Sequence, residues 1–155
     1  MAGRPLVLVV NGPNLDKLGS RQPEIYGTTT LPELEKTLRA RAAELGLEVE
    51  FFQSNDEPAV VDAVAGAPGR GAAAILINPA ALTHFSYPLR ETLRATRLPV
   101  VEVHISNIHA REPYRRLSLV SGVAEGVIAG LGVTGYTLAL EAIAGMLSVP
   151  HEGNP

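Results

Sequence analysis

The sequence predicts an α/β fold in which one parallel sheet of five strands carries helices on both faces. Two observations predict it. Apolar, β-branched runs of strand length recur along the chain, and stretches with helical periodicity lie between them. A length of 155 residues, 46% apolar and 19% charged, also suits a single globular domain burying roughly 68–70% of its unfolded surface.

Strands are predicted at Leu6–Val10, Val49–Phe52, Ala74–Ile77, Val100–Val103 and Val123–Ile128. Helical patterns occupy Leu31–Leu45, Ala59–Ala67, Tyr87–Thr96 and Tyr136–Leu147. Thr30 reads as an N-cap, with Pro32 and Glu33 in the first turn and Gly46 as the stop. Ser86 and Pro88 repeat the start signal. The segment GAPGRG at 66–71 reads as a loop within the one domain, residues 1–155, because strands resume at once. The tail at 149–155 is expected to be disordered.

One connection breaks the pattern. NGPNLDKLGSRQPEIYG, residues 11–27, shows neither a 3.6 nor a 2.0 period. Connections of that length inside compact domains usually serve as lids or binding loops, and about 12–29 is expected to be one or the other.

Strand order 2-1-3-4-5, that of flavodoxin-like three-layer folds, is the order expected. It places ligands outside the carboxyl ends of the strands, where the order reverses. The first four strands end in VLVV-NGPN, FFQSN, AILI-NPA and VVEVHISN. Polar residues often cap strands, but four endings rich in uncharged hydrogen-bonding groups point to a polar small-molecule site.

A net charge of −3 argues against a nucleic-acid surface, which needs a basic stripe. No apolar run approaches the ~20 residues of a membrane span, and residues 1–5 lack the apolar region of a signal peptide. With no cysteine, disulfides and thiolate chemistry are excluded. A cytoplasmic protein is the simplest reading.

Glu102 and His104 stand two apart on the fourth strand and therefore project to one face. A carboxylate beside an imidazole fixes its tautomer and suits a general acid; the alternative is a histidine paired for structure. A metal site with His109 has no supporting spacing, and the amide-rich surroundings do not suggest zinc. Tyr26 follows Arg21 by five residues in the opening loop. An ordinary tyrosine is ionised about one time in a thousand at pH 7. An arginine in a closed, water-poor site stabilises the tyrosinate and makes it a competent base. A packed tyrosine before a turn is the competing reading. Among Arg111, Arg115 and Arg116, one facing the site would fit a carboxylate or diol ligand, although runs of arginine are more often solvated.

Three nucleotide readings fail. GLGVTG at 130–135 matches G-x-G-x-x-G, but the dinucleotide fingerprint needs a further parallel strand with an acid ~20 residues on, which the sequence does not supply. These glycines read as close packing and a tight strand-to-helix turn. TTTL at 28–31 comes too late for a flavin phosphate loop, and Asn78 stands where a receiver domain would show its acceptor aspartate.

The motifs NGPNL…LG.RQPEIYG, FFQSN, INPAALTH.S, VEVHISNIHAREPYR and GVIAGLGVTGY resemble those of the type II 3-dehydroquinate dehydratases (type II dehydroquinases) of the shikimate and quinate pathways, from about Leu6 to Ile143. The resemblance implies a flavodoxin-like enzyme, without metal or cofactor, that dehydrates 3-dehydroquinate by anti elimination through an enolate. It implies Tyr26 as the base at C2, Arg21 as its lid activator and Asn14 as support for the enolate oxygen through a water. His104, backed by Glu102, matches the acid that protonates the departing C1 hydroxyl. Asn78, His84 and Arg115 match the groups that grip ring hydroxyls, and Ile105 with Ser106 the carboxylate cradle. It also implies a homododecamer built from trimers.

Four departures from the family pattern flank these residues. Glu91 stands where an aspartate usually reaches the neighbouring subunit's site. Asp56-Glu57-Pro58, Phe85 and Arg116-Leu117-Ser118-Leu119 also differ from the usual residues. Two alternatives remain, a weak paralogue that binds quinate-like ligands and a nucleotide-binding module. Retention of Tyr26, Arg21 and His104 argues against the first, and the missing phosphate loop against the second.

Overall fold

The computed structural model describes residues 3–148 of the chain. Its strands are β1 Leu6–Asn11, β2 Glu48–Gln53, β3 Ala72–Asn78, β4 Val100–His104 and β5 Gly126–Ala129. They form one parallel sheet in the order β2-β1-β3-β4-β5, as expected. The helices are a single turn, α1 Pro23–Tyr26, then α2 Leu31–Glu44, α3 Glu57–Ala65, α4 Tyr87–Thr96 and α5 Thr134–Ser148.

Strand periodicity explains the three layers. Alternate residues of β1 face opposite ways. Val7 and Val9 pack with Leu34 and Leu38 of α2 and with Ala139, Leu140 and Ile143 of α5. Leu8 and Val10 pack with Val60 and Val64 of α3 and Leu89 and Leu93 of α4. The central strands are therefore apolar on both faces, as parallel strands covered by helices must be. Edge strand β2 instead alternates Glu48, Val49, Glu50 and Phe51, and charge along an edge discourages pairing with another chain.

Helix starts agree with the sequence where a cap names them. Thr30 Oγ1 accepts from Glu33 N at 3.4 Å, and Ser86 Oγ from Leu89 N at 3.1 Å. Several boundaries shift by one to three residues, and two of the shifts have a visible cause. Helix α3 begins two residues before the apolar pattern does, because the Asp56 carboxylate caps Ala59 N at 3.2 Å and Pro58 fits the first turn. Strand β5 begins at Gly126 rather than Val123, since residues Ser121–Val123 form a 3₁₀ turn. The glycines of 130–135 make the expected tight turn: a Cβ at Gly135 would lie 3.1 Å from Val103 Cγ2, so α5 seats close on β4. The tail at 149–155 lies outside the described residues.

Gly12 joins β1 to the loop that follows it. Its N–H donates to Asn78 O at 2.8 Å, and a Cβ there would fall 2.4 Å from the Pro79 carbonyl oxygen. Backbone would have to move to admit a methyl group. Gly12→Ala is therefore expected to lose about 1–3 kcal/mol, read as a lower urea midpoint at unchanged slope.

Candidate active site

The carboxyl edge of the sheet brings amides together. Asn11 is in register with Gln53 on one side and Asn78 on the other. Their duties differ. Gln53 Nε2 donates to Gly12 O at 3.2 Å and to Asn55 Oδ1 at 3.0 Å, while Asn55 Oδ1 also accepts from Asn14 N at 2.8 Å. The polar ending of β2 thus ties down the root of the long loop and does not line the cleft. Asn11 and Asn78 meet instead at the phenol of Tyr136, with Tyr136 Oη donating to Asn11 Oδ1 at 2.6 Å and accepting from Asn78 Nδ2 at 2.9 Å.

At the end of β4, His104 Nε2 donates to Glu102 Oε2. Glu102 is fully buried and its carboxylate is saturated: Oε2 also accepts from Ser118 Oγ at 2.8 Å, and Oε1 from Ser121 Oγ at 2.7 Å. Burial opposes the charge, but the hydrogen bonds from His104, Ser121 and Ser118 outweigh it and hold the carboxyl below its ordinary pKa. Ser118 Oγ accepts from the backbone N–H groups of Val120 and Ser121, both at 3.1 Å, so its proton is directed to Glu102. With Nε2 committed, Nδ1 is the His104 nitrogen left to exchange a proton with a ligand.

The long connection folds over this edge as a 3₁₀ turn at Leu15–Lys17 followed by α1. Buried Leu15 and Leu18 pin it to the core. Asn14 at φ 70° and Gln22 at φ 42° hold left-handed backbone on either side of those leucines. Helix α1 carries Tyr26 to the cleft, where Arg111 Nη1 donates to its Oη at 2.8 Å and to Ser106 Oγ at 3.2 Å. The guanidinium carbon also lies 5.4 Å from the Tyr26 ring centroid. Arg21 lines the same cleft, but the cation bonded to the phenol is Arg111.

On the opposite wall His84 Nδ1 donates to the Leu117 carbonyl at 2.8 Å, which leaves Nε2 as an acceptor. Burial lowers its pKa against the opposing pull of that hydrogen bond, which favours the neutral ring. Tyr114 joins His84, edge to face at 5.8 Å, to Arg115, whose guanidinium carbon lies 4.8 Å from the Tyr114 ring centroid. Arg115 Nε is held by Glu112.

The resulting cleft encloses about 120 Å³ and carries Lys17, Arg21, Arg111 and Arg115 with no carboxylate on its wall, the electrostatics of an anion site. Tyr26, Arg21, Asn14 and His104 all line it, as do Asn78, His84, Arg115, Ile105 and Ser106. Glu102 stands behind His104. Glu91 lies elsewhere, exposed on α4, with Arg90 Nε 3.7 Å from its carboxylate. Of the three arginines in the run after His104, Arg111 and Arg115 reach the cleft and Arg116 does not. Sequence reasoning missed the pairing of Arg111 with Tyr26, the two serines on Glu102 and the role of Tyr136. None carries a local signal, because the partners are 85, 16, 19 and 125 residues apart. Among the described residues, no group of three or more His, Cys, Asp or Glu is arranged to hold a metal ion.

A parallel sheet with a polar, cationic cleft at its switch point, a tyrosine hydrogen-bonded to arginine and a buried carboxylate–histidine pair has the groups that acid–base chemistry on a small anion requires. The sequence pattern of the class II dehydroquinases matches residues 5–144, and the chain belongs to that family. It is 53% identical to the 3-dehydroquinate dehydratase of Methylococcus capsulatus over 142 residues, 92% of this chain and 94% of that one. It is 50% identical to the 3-dehydroquinate dehydratase of Thermus thermophilus, covering 96% and 99%. The crystal structure of the type II dehydroquinase of Propionibacterium acnes superposes with a TM-score of 0.88 at 43% identity, covering 94% and 99%.

Proposed function

We propose that this chain is a 3-dehydroquinate dehydratase, removing water to give 3-dehydroshikimate by anti elimination through an enolate. One observation carries the reading: Tyr26 on the lid and His104 at the sheet edge border a single cationic cleft, each already held by its own partner. Tyr26, as tyrosinate, takes the C2 proton beside the ketone. Arg111 stabilises its charge from 2.8 Å, and Arg21 adds positive charge over the developing enolate. Asn14 supports the enolate oxygen through a water. His104, charged by a proton on Nδ1 and steadied by Glu102, gives that proton to the departing C1 hydroxyl. Ile105 and Ser106 cradle the carboxylate, while Asn78, His84 and Arg115 hold the ring hydroxyls.

The working form is a homododecamer of trimers, in which Glu91, exposed on α4, reaches toward a neighbouring copy's site. A cytoplasmic location fits a chain in which no described helix is long and apolar enough to cross a membrane. The reaction serves either biosynthesis through shikimate or breakdown of quinate, because the chemical step is the same. The test is turnover of 3-dehydroquinate, followed by ultraviolet absorbance of the conjugated enone with a chelator present. Rapid product formation that survives chelation is expected. A flat trace from folded protein would refute the assignment.

A further inference from the structure

We propose that Tyr136 is a positioning residue for the dehydration: its buried hydroxyl locks the Asn78 amide so that one N–H is offered to a ring hydroxyl of the substrate. The inference rests on the function proposed above.

Donor and acceptor rules fix the direction of every bond in this network. The Ala80 backbone N–H, which can only donate, meets Asn78 Oδ1 at 3.1 Å. That contact puts the amide nitrogen on the other side, 2.9 Å from Tyr136 Oη. An amide nitrogen cannot accept, so the phenol oxygen receives this bond and sends its own proton to Asn11 Oδ1, 2.6 Å away. Only one polarity satisfies the chain. Asn78 Nδ2 carries two protons, one spent on Tyr136, and the side chain lines the cleft, so the second is available there.

Burial makes the arrangement rigid. Tyr136 is 0% exposed, Asn11 1% and Asn78 4%, leaving no solvent to substitute for a lost partner. Desolvation raises the phenol's pKa far above its ordinary value, opposed only by the Asn78 hydrogen bond, and keeps it a donor. The ring packs in the core between α5 and the sheet and does not line the cleft, so it acts on substrate only through Asn78. The same amide steadies Ala80, a cleft residue in left-handed backbone at φ 52°, through that 3.1 Å bond.

Tyr136→Phe keeps the ring and removes the lock. KM for 3-dehydroquinate is expected to rise about five- to tenfold with kcat within about twofold, the pattern of a binding group mispositioned. In an Asn78→Ala background the same substitution should change KM by less than about twofold, because the two residues act as one. A purely structural tyrosine would lower the active fraction, and so kcat, without moving KM. That result, or effects that multiply in the double variant, overturns the inference. Should Tyr136→Phe fail to fold, Asn11→Ala leaves the phenol in place and removes its acceptor; a smaller KM rise, again absent in the Asn78→Ala background, is the supporting result, and an unchanged KM the contrary one. A ligand-free crystal structure of the folded variant separates this inference from the proposed activity. If the parent turns nothing over, the activity fails, and the Asn78 side chain still decides: rotation away from its parental position supports the lock, an unmoved amide refutes it.

Discussion

Replacing Tyr26 by phenylalanine is expected to lower kcat by about 10²–10⁴-fold while leaving the fold and KM nearly unchanged. The ring sits on α1 in the long loop after β1, half-buried, and its oxygen has one protein partner among the described residues, the Arg111 guanidinium at 2.8 Å. Removing the oxygen leaves Arg111 bonded to Ser106 Oγ and in contact with an intact ring, so little stability is lost. Chemistry is what disappears, because the oxygen proposed to take the C2 proton is gone while the rest of the cleft wall is unchanged. Arg111→Ala should share much of the rate loss, since the tyrosinate would form without its neighbouring charge. Single-turnover kinetics with thermal melts alongside check both variants. A Tyr26→Phe enzyme retaining a tenth of parental kcat would move the base elsewhere.

Glu102 carries the second large effect, and it appears in stability as well as rate. Its buried carboxylate takes hydrogen bonds from His104, Ser118 and Ser121. Glu102→Ala leaves all three donors without their acceptor, and breaking a buried pair of this kind costs about 3–5 kcal/mol. Glu102→Gln keeps the shape but presents an amide to three donors, loosens the His104 tautomer and should cost much of the ~10²–10⁴ that a positioned acid supplies. The pH dependence has a definite sign. The folded carboxyl titrates below its ordinary 4.5, so near that pH the unfolded chain binds more protons. Its stabilisation is complete above about pH 4.5 and is lost as pH falls through the folded value. Urea midpoints between pH 7 and pH 3 should therefore fall more steeply in the parent than in Glu102→Gln.

The fold was legible because its signals are local. Runs such as Leu6–Val10 announce a buried strand, and Thr30 and Ser86 mark helix starts with their own side chains. Strand β5 was misjudged at its start for an instructive reason: apolar Val123 belongs to a turn that carries Ser121 to Glu102, so a tertiary hydrogen bond set the boundary. Within the site, the Glu102–His104 pair was legible because two-residue spacing on a strand guarantees a shared face. The pairing of Arg111 with Tyr26 was not, since it spans 85 residues and joins the long loop to the turn after β4. The polar ending of β2 misled in the opposite sense, because Gln53 and Asn55 serve the root of the long loop.

The central claim is that base and acid act on opposite faces of one ring, Tyr26 from the lid and His104 from the sheet edge. The most direct measurement uses 3-dehydroquinate bearing a single deuterium at C2, anti to the C1 hydroxyl. Loss of that deuterium to solvent, with C2 of the 3-dehydroshikimate carrying hydrogen, is the expected result. Retention of the deuterium in the product would mean syn elimination from one face, and would contradict the assignment of these two residues.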